Sequence, residues 1–140
     1  MISDVLGYAR ARMVSLGFVE WADGFNDANI PSVRLSKAFH VSLGLIQGVK
    51  NNQADQVVEV PFTIEAFQAP GRDTKARIDR AALLGDNILS DVMASANRLT
   101  QSGVKNISFR TMELRPLAES NDNGVILKLE FSALVIISAH

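Results

Sequence analysis

The stretch that most limits what this chain can become is VVEVPFTIEAF at 57–67. Within it Val58, Val60, Phe62, Ile64 and Ala66 alternate with Glu59, Pro61, Thr63 and Glu65. Side chains along a strand point alternately to its two faces, so this pattern predicts a strand with one buried face. Pro61 has no N–H to give to a ladder, which predicts an edge position or a bulge. The strand then runs through Gln68, Ala69, Pro70 and Gly71 toward a long helix.

The other segments are arranged around this strand. A first helix is expected over 2–16, with Ser3 as N-cap and Asp4 in the first turn, both favourable to initiation. Ile2, Val5, Leu6, Ala9, Met13 and Leu16 share one face of it, and Gly17 supplies a stop. Residues 18–32, rich in Gly, Asn and Asp, predict mostly loop. Trp21 and Phe25 in that loop either cap the core or stand as exposed contact residues. Next, Val33, Leu35, Phe39, Val41, Leu43 and Leu45 share one strand parity. Thirteen residues of strand would span about 43 Å, so the segment must bend or project as a hairpin arm. The link QGVKNNQADQ at 47–56 predicts a polar, mobile tip to that arm.

A second helix is expected over 73–99. Ile78, Ala81, Ala82, Gly85, Ile88, Leu89, Val92, Ala96 and Leu99 lie on its inward side, and Asp79, Arg80, Asn87, Ser90 and Asp91 on its outward side. Leu83 breaks the outward pattern, between Ala76 and Ala94. A second hairpin follows, with arms at 105–117 and 125–138 and a turn at Asn121, Asp122, Asn123 and Gly124. In its first arm the apolar parity switches between Ile107/Phe109 and Met112/Leu114, which predicts a bulge. In its second arm Leu134 and Ile136 join the apolar set, so that end is expected to be buried on both faces. The order α-β-β-α-β-β gives a single α+β domain over 1–140. Its sheet is antiparallel or mixed, built of two long hairpins, with two helices on one face.

Little in the sequence suggests chemistry. The two histidines, His40 and His140, have no Cys or further His at metal-ligand spacing, and satisfied or solvated imidazoles account for both. No phosphate-binding loop, dinucleotide fingerprint, nucleophile elbow or zinc-protease motif is present. The expectation is therefore a non-enzymatic chain with no cofactor and no metal. The absence of cysteine removes disulfides and thiolate sites. A net charge of −1 gives no general attraction to nucleic acid. No run approaches the roughly 18 apolar residues that a spanning helix needs, so a soluble chain without a membrane partner is expected.

Two apolar groups are candidate subunit interfaces: Leu83 with Ala76 and Ala94, and Leu45, Ile46 and Val49 on the hairpin arm. Arg72, Lys75, Arg77 and Arg80 form a basic cluster offset by Asp73 and Asp79. It is either a solvated face or a contact for nucleic acid or an acidic subunit surface.

The layout resembles the tail terminator, or tail completion, proteins of long-tailed bacteriophages. The resemblance rests on the short N-terminal helix, on Ile30-Pro31 leading into a strand at 32–43, and on the polar excursion at 47–56. It continues with VEVPFTIEAF running into the helix at 73–95 and closes with the strand pair at 107–114 and 124–137. The longer and more apolar last strand and the low acidity of the excursion depart from that pattern. The resemblance implies a virion protein at the head–tail junction, assembled in the bacterial cytoplasm. It implies a hexameric ring that caps the tail tube, ends its polymerisation and meets the head connector, while DNA passes through without specific binding. The alternatives are another neck or head–tail joining protein, or a small ligand-binding α+β domain or enzyme subunit.

Overall fold

The computed structural model describes residues 2–21, 37–51, 55–68, 74–94, 104–116 and 125–138. They form two helices and a six-stranded mixed sheet. The elements are α1 (Ile2–Ser15), β1 (Val19–Glu20), β2 (Ala38–Leu43), β3 (Gln47–Asn51), β4 (Asp55–Gln68), α2 (Thr74–Ala94), β5 (Val104–Pro116) and β6 (Val125–Ser138). Strand order is β1-β2-β4-β6-β5, with β3 also paired to β4. The pairing of β1 with β2 is parallel and every other pairing is antiparallel. The expected α+β class and the two hairpins are present.

The predicted strand at 57–67 is the middle of β4, which pairs with β6 without interruption from Asp55↔Ser138 to Gln68↔Val125. This register joins the two hairpins. It also puts Phe62 opposite Phe131, whose rings stack at 5.2 Å with 13° between their planes. Phe109 meets Phe131 edge-on at 5.9 Å. One face of β4 (Val58, Val60, Phe62, Ile64, Ala66) and one of β6 (Leu127, Leu129, Phe131, Ala133, Val135) form the core with Val5, Ala9, Met13, Ile88 and Val92 of the helices. Both helices thus pack on one face, α1 over β2 and β4, and α2 over β4, β5 and β6.

The helices form for the reasons their sequences suggest. Gly17 ends α1 with φ 92°, donating its N–H to Val14 at 3.0 Å while Phe18 donates to Met13 at 3.0 Å. These two bonds make a Schellman cap, which satisfies carbonyls that the helix leaves open. Ser3, expected as an N-cap, is one residue inside α1, because the helix starts at Ile2. Tyr8, outside the expected inward set, is buried and donates its hydroxyl to the Val92 carbonyl. Val92 lies near the end of the described part of α2, so this bond ties α2 to α1. Arg12 and Asp91 add a part-buried ion pair at 3.7 Å between the same helices.

Four expectations need correction. Pro61 is in a central strand, not at an edge. Its carbonyl accepts the Gly44 N–H at 2.8 Å, so its missing N–H faces the side of β4 where β2 has ended at Phe62 and β3 has not begun before Glu59. The arm at 33–49 is correspondingly broken at residues 44–46 and does not run straight; 33–36 lie outside the described residues. The excursion at 47–56 is in large part ladder, since Gln47–Asn51 is strand β3 and β4 begins at Asp55, while 52–54 lie outside the described residues. A polar sequence suffices there because backbone groups make the ladder and β4 has a vacant edge beyond β2. Val19–Glu20, within the expected loop, lies parallel to β2. Leu134 and Ile136 are only half-buried, because none of the described elements covers the face opposite the helices at that end.

The bulge predicted in the second hairpin is present. The β5–β6 register shifts between Phe109 and Thr111, and again between Val104 and Asn106. The first shift keeps Ile107, Phe109, Met112 and Leu114 all opposite core-facing residues of β6.

Removing the ring at the centre should be the most costly single truncation. Phe131→Ala is expected to lose about 3–5 kcal/mol in urea unfolding, whereas Leu83→Ala should stay within about 0.5 kcal/mol of wild type.

Candidate functional site

The sheet face opposite the helices carries most of the strand charge, and that charge is paired. Arg110 of β5 reaches Glu59 of β4 at 3.3 Å, and Arg115 of β5 reaches Glu65 of β4 at 3.3 Å. Both guanidinium groups pass over β6, which lies between those strands. Lys128 pairs with Glu130 at 3.4 Å, and Thr111 donates to the other Glu130 oxygen at 3.0 Å. Exposed pairs of this kind add at most about 1 kcal/mol each, so their main effect is to leave a nearly neutral surface.

At the β1 end of this face Trp21 packs on Ala38, Phe67 and Ile126, as a cap on a small second apolar cluster. Phe25 lies outside the described residues. His40 has its Nδ1 3.0 Å from the Trp21 carbonyl. A carbonyl can only accept, so Nδ1 carries the hydrogen and the imidazole fixes the backbone at Trp21. His40 is thus a satisfied structural group, as its parity suggested. Two buried polar atoms, Trp21 Nε1 and Asp91 Oδ2, have no hydrogen-bond partner among the described residues. Neither belongs to a cluster of ionisable groups, and among the described residues no set of three His, Asp or Glu could hold a metal. No helix among them is long and apolar enough to cross a membrane.

What the surface does offer is apolar side chains in separate groups. Leu45, Ile46 and Val49 are all exposed, with Leu45 at 74%. They occupy the corner where the chain steps from β2 to β3, so three of the sequence candidates fall together. Gly44 makes the corner possible, since a Cβ there would stand 3.1 Å from the Pro61 ring. Leu83 is 61% exposed on the outward side of α2, and Ala94 is exposed too. The Ala76 side chain lies outside the description. Asp79, Arg80, Asp86, Asn87 and Ser90 are exposed around Leu83, so it stands in polar surroundings. Of the basic cluster only the Arg80 side chain is described, and it is exposed; Arg72 and the side chains of Lys75 and Arg77 fall outside.

A further group of apolar side chains, of which only Ile78 was expected on the inward side of its helix, is exposed. Ile78 (49%), Met93, Phe109 and Met112 all reach solvent. Helical spacing puts Ile78 and Met93 on the side of α2 away from Asp91, which faces α1, and hence toward β5. Met112 is under that side of the helix, its Sδ 2.5 Å from where a Gly85 Cβ would be. Inward as they are, they are exposed because β5 ends the sheet and α2 leaves its outer flank uncovered. Only strand order reveals that.

No family model matches this sequence, and the comparison with curated proteins finds no match.

The close approach of α2 to β5 depends on Gly85. An alanine gains about 1 kcal/mol of helix propensity over glycine, but its methyl would displace the Met112 thioether. Gly85→Ala should therefore be more favourable in a Met112→Ala background than in wild type, with a coupling of at least about 0.5 kcal/mol in a double-mutant cycle. Equal effects in both backgrounds would mean that Met112 yields without loss.

Proposed function

We propose that this chain is a non-enzymatic structural protein of a bacteriophage tail, a ring-forming tail terminator. It caps the tail tube, ends its polymerisation and joins the tail to the head connector. The observation that carries this reading is the distribution of exposed apolar side chains. They form groups on opposite sides of one sheet, at the β5 flank and at the β1–β3 side, and the groups differ in composition. A cyclic ring requires this arrangement, because each subunit must present two dissimilar surfaces to its neighbours. Grouped apolar exposure, with no convergent polar groups among the described residues, is a surface for protein and not for a small ligand.

Two further features support the reading. Among the described residues the two helices and two hairpins follow the order of the layout on which the resemblance rests, with β1 and β3 as additional short strands. The paired charges on the open sheet face and the net charge of −1 support a ring through which DNA moves without being held, since among the described residues that face carries no excess of positive charge. Head–tail joining without tube capping is the neighbouring alternative, and addition to polymerising tail tubes separates the two.

Light scattering over about two decades of concentration tests the ring, since mass action shifts any monomer–ring equilibrium. A discrete hexamer, or a monomer giving way to one, is expected. In a tube-polymerisation assay the protein should fix tube length. A monomer at every concentration that leaves tube length unchanged would overturn the proposal.

A further inference from the structure

The uncovered flank of β5 and the far edge of the sheet at β1 are complementary. The flank consists of Ile78 and Met93 on α2 and Phe109 and Met112 on β5. Exposed Asp79 and Asp86 border it on the outward side of α2, and neither enters an ion pair among the described residues. Strand addition is not how this edge is met. Its two register shifts insert Lys105 and Arg110, and bulges with charged residues obstruct pairing by a further strand. A partner must instead contact the side chains.

At the other end of the strand order, β1 carries Val19, 68% exposed, and Val14 of the adjoining α1 is exposed as well. Lys37 is exposed beside them, its carbonyl accepting the Val19 N–H at 2.7 Å, and it too has no ion pair among the described residues. Arg10 and Glu20 nearby neutralise each other at 3.2 Å. Among the described residues this edge is therefore apolar with one unpaired positive charge, and the β5 flank is apolar with two unpaired negative charges. The corner at Leu45, Ile46 and Val49 borders no such charge among the described side chains.

We propose that the β5 flank of one copy receives the β1 edge of the next, with Lys37 set against Asp79 and Asp86. This seam rests on the ring reading and specifies its interface. It is head-to-tail, because the two surfaces lie at opposite ends of one sheet and neither is self-complementary in charge.

The chain contains no cysteine, so introduced thiols report without background. Val19→Cys and Met112→Cys, both at exposed positions, would be treated with a short bis-maleimide, singly and together. Four strand spacings, about 19 Å, separate the two sites within a chain and prevent internal bridging. The double variant should yield cross-linked multimers while each single variant stays monomeric. Lys37→Glu should slow the cross-linking by up to about fivefold, and Asp79→Lys with Asp86→Lys should restore it. Dimers from Met112→Cys alone would overturn the head-to-tail seam. An unlinked double variant whose wild type scatters as a multimer would overturn the seam and leave the ring standing. A chain that neither links, nor associates, nor fixes tube length overturns both.

Discussion

The antiparallel ladder between β4 and β6 is the constraint on which the rest of the molecule depends. Fourteen consecutive residues of β4 face β6 in constant register. A strand has a side-chain period of two, so a one-residue slip would exchange its faces. Here a slip would bring Glu59, Thr63 and Glu65 under the helices and turn Phe62 and Ile64 to solvent. The stacked Phe62 and Phe131 rings, with Phe109 edge-on, oppose that slip at the centre of the ladder. Once the register is set, β2 and β5 can add only on the two sides of the pair, and both helices have one apolar face to cover.

Pro61 then decides the shape of one side. A central strand can hold a proline only where no partner needs its N–H. The flanking strand is accordingly split in two, β2 ending opposite Phe62 and β3 starting opposite Glu59. The three residues between them turn outward around Gly44, which leaves Leu45 and Ile46 at the surface. An exposed apolar corner at Leu45 and Ile46 is thus the structural consequence of a proline well further along the chain, Pro61, through backbone hydrogen bonding.

Most of this fold was legible because the signals were periodic. Alternation located β4 and β6 to within a residue or two, helical spacing found both helices, and the parity switch in β5 marked a real bulge. The errors share a cause. Polar composition suggested a mobile 47–56, but a vacant strand edge recruits polar backbone as readily as apolar. Pro61 suggested an edge, but what proline needs is a missing partner, and a broken neighbour provides one. Tyr8 was missed because its place depends on a bond to the carbonyl of Val92, 84 residues away in sequence. The candidate site was legible only in part. Leu45, Ile46, Val49 and Leu83 are exposed as their positions suggested. Ile78, Phe109, Met93 and Met112 could not be found from local pattern, because their exposure follows from which strand ends the sheet.

All three open edges carry a device that discourages strand addition. The outermost strand at one end, β1, is two residues long; β3 has a register shift at Val49; β5 has two shifts, at Lys105 and Arg110. Short strands, bulges and charges at edges are the means by which sheets avoid indefinite growth. That protection would be unremarked in a chain whose surface was otherwise polar, but here each edge adjoins exposed apolar side chains. The combination separates two modes of association. Backbone pairing, which is indifferent to sequence and propagates without limit, is blocked. Side-chain contact, which fixes one partner in one orientation, remains available. The terminator role proposed above would call for that separation, since an open strand edge would extend an assembly that a terminator has to close.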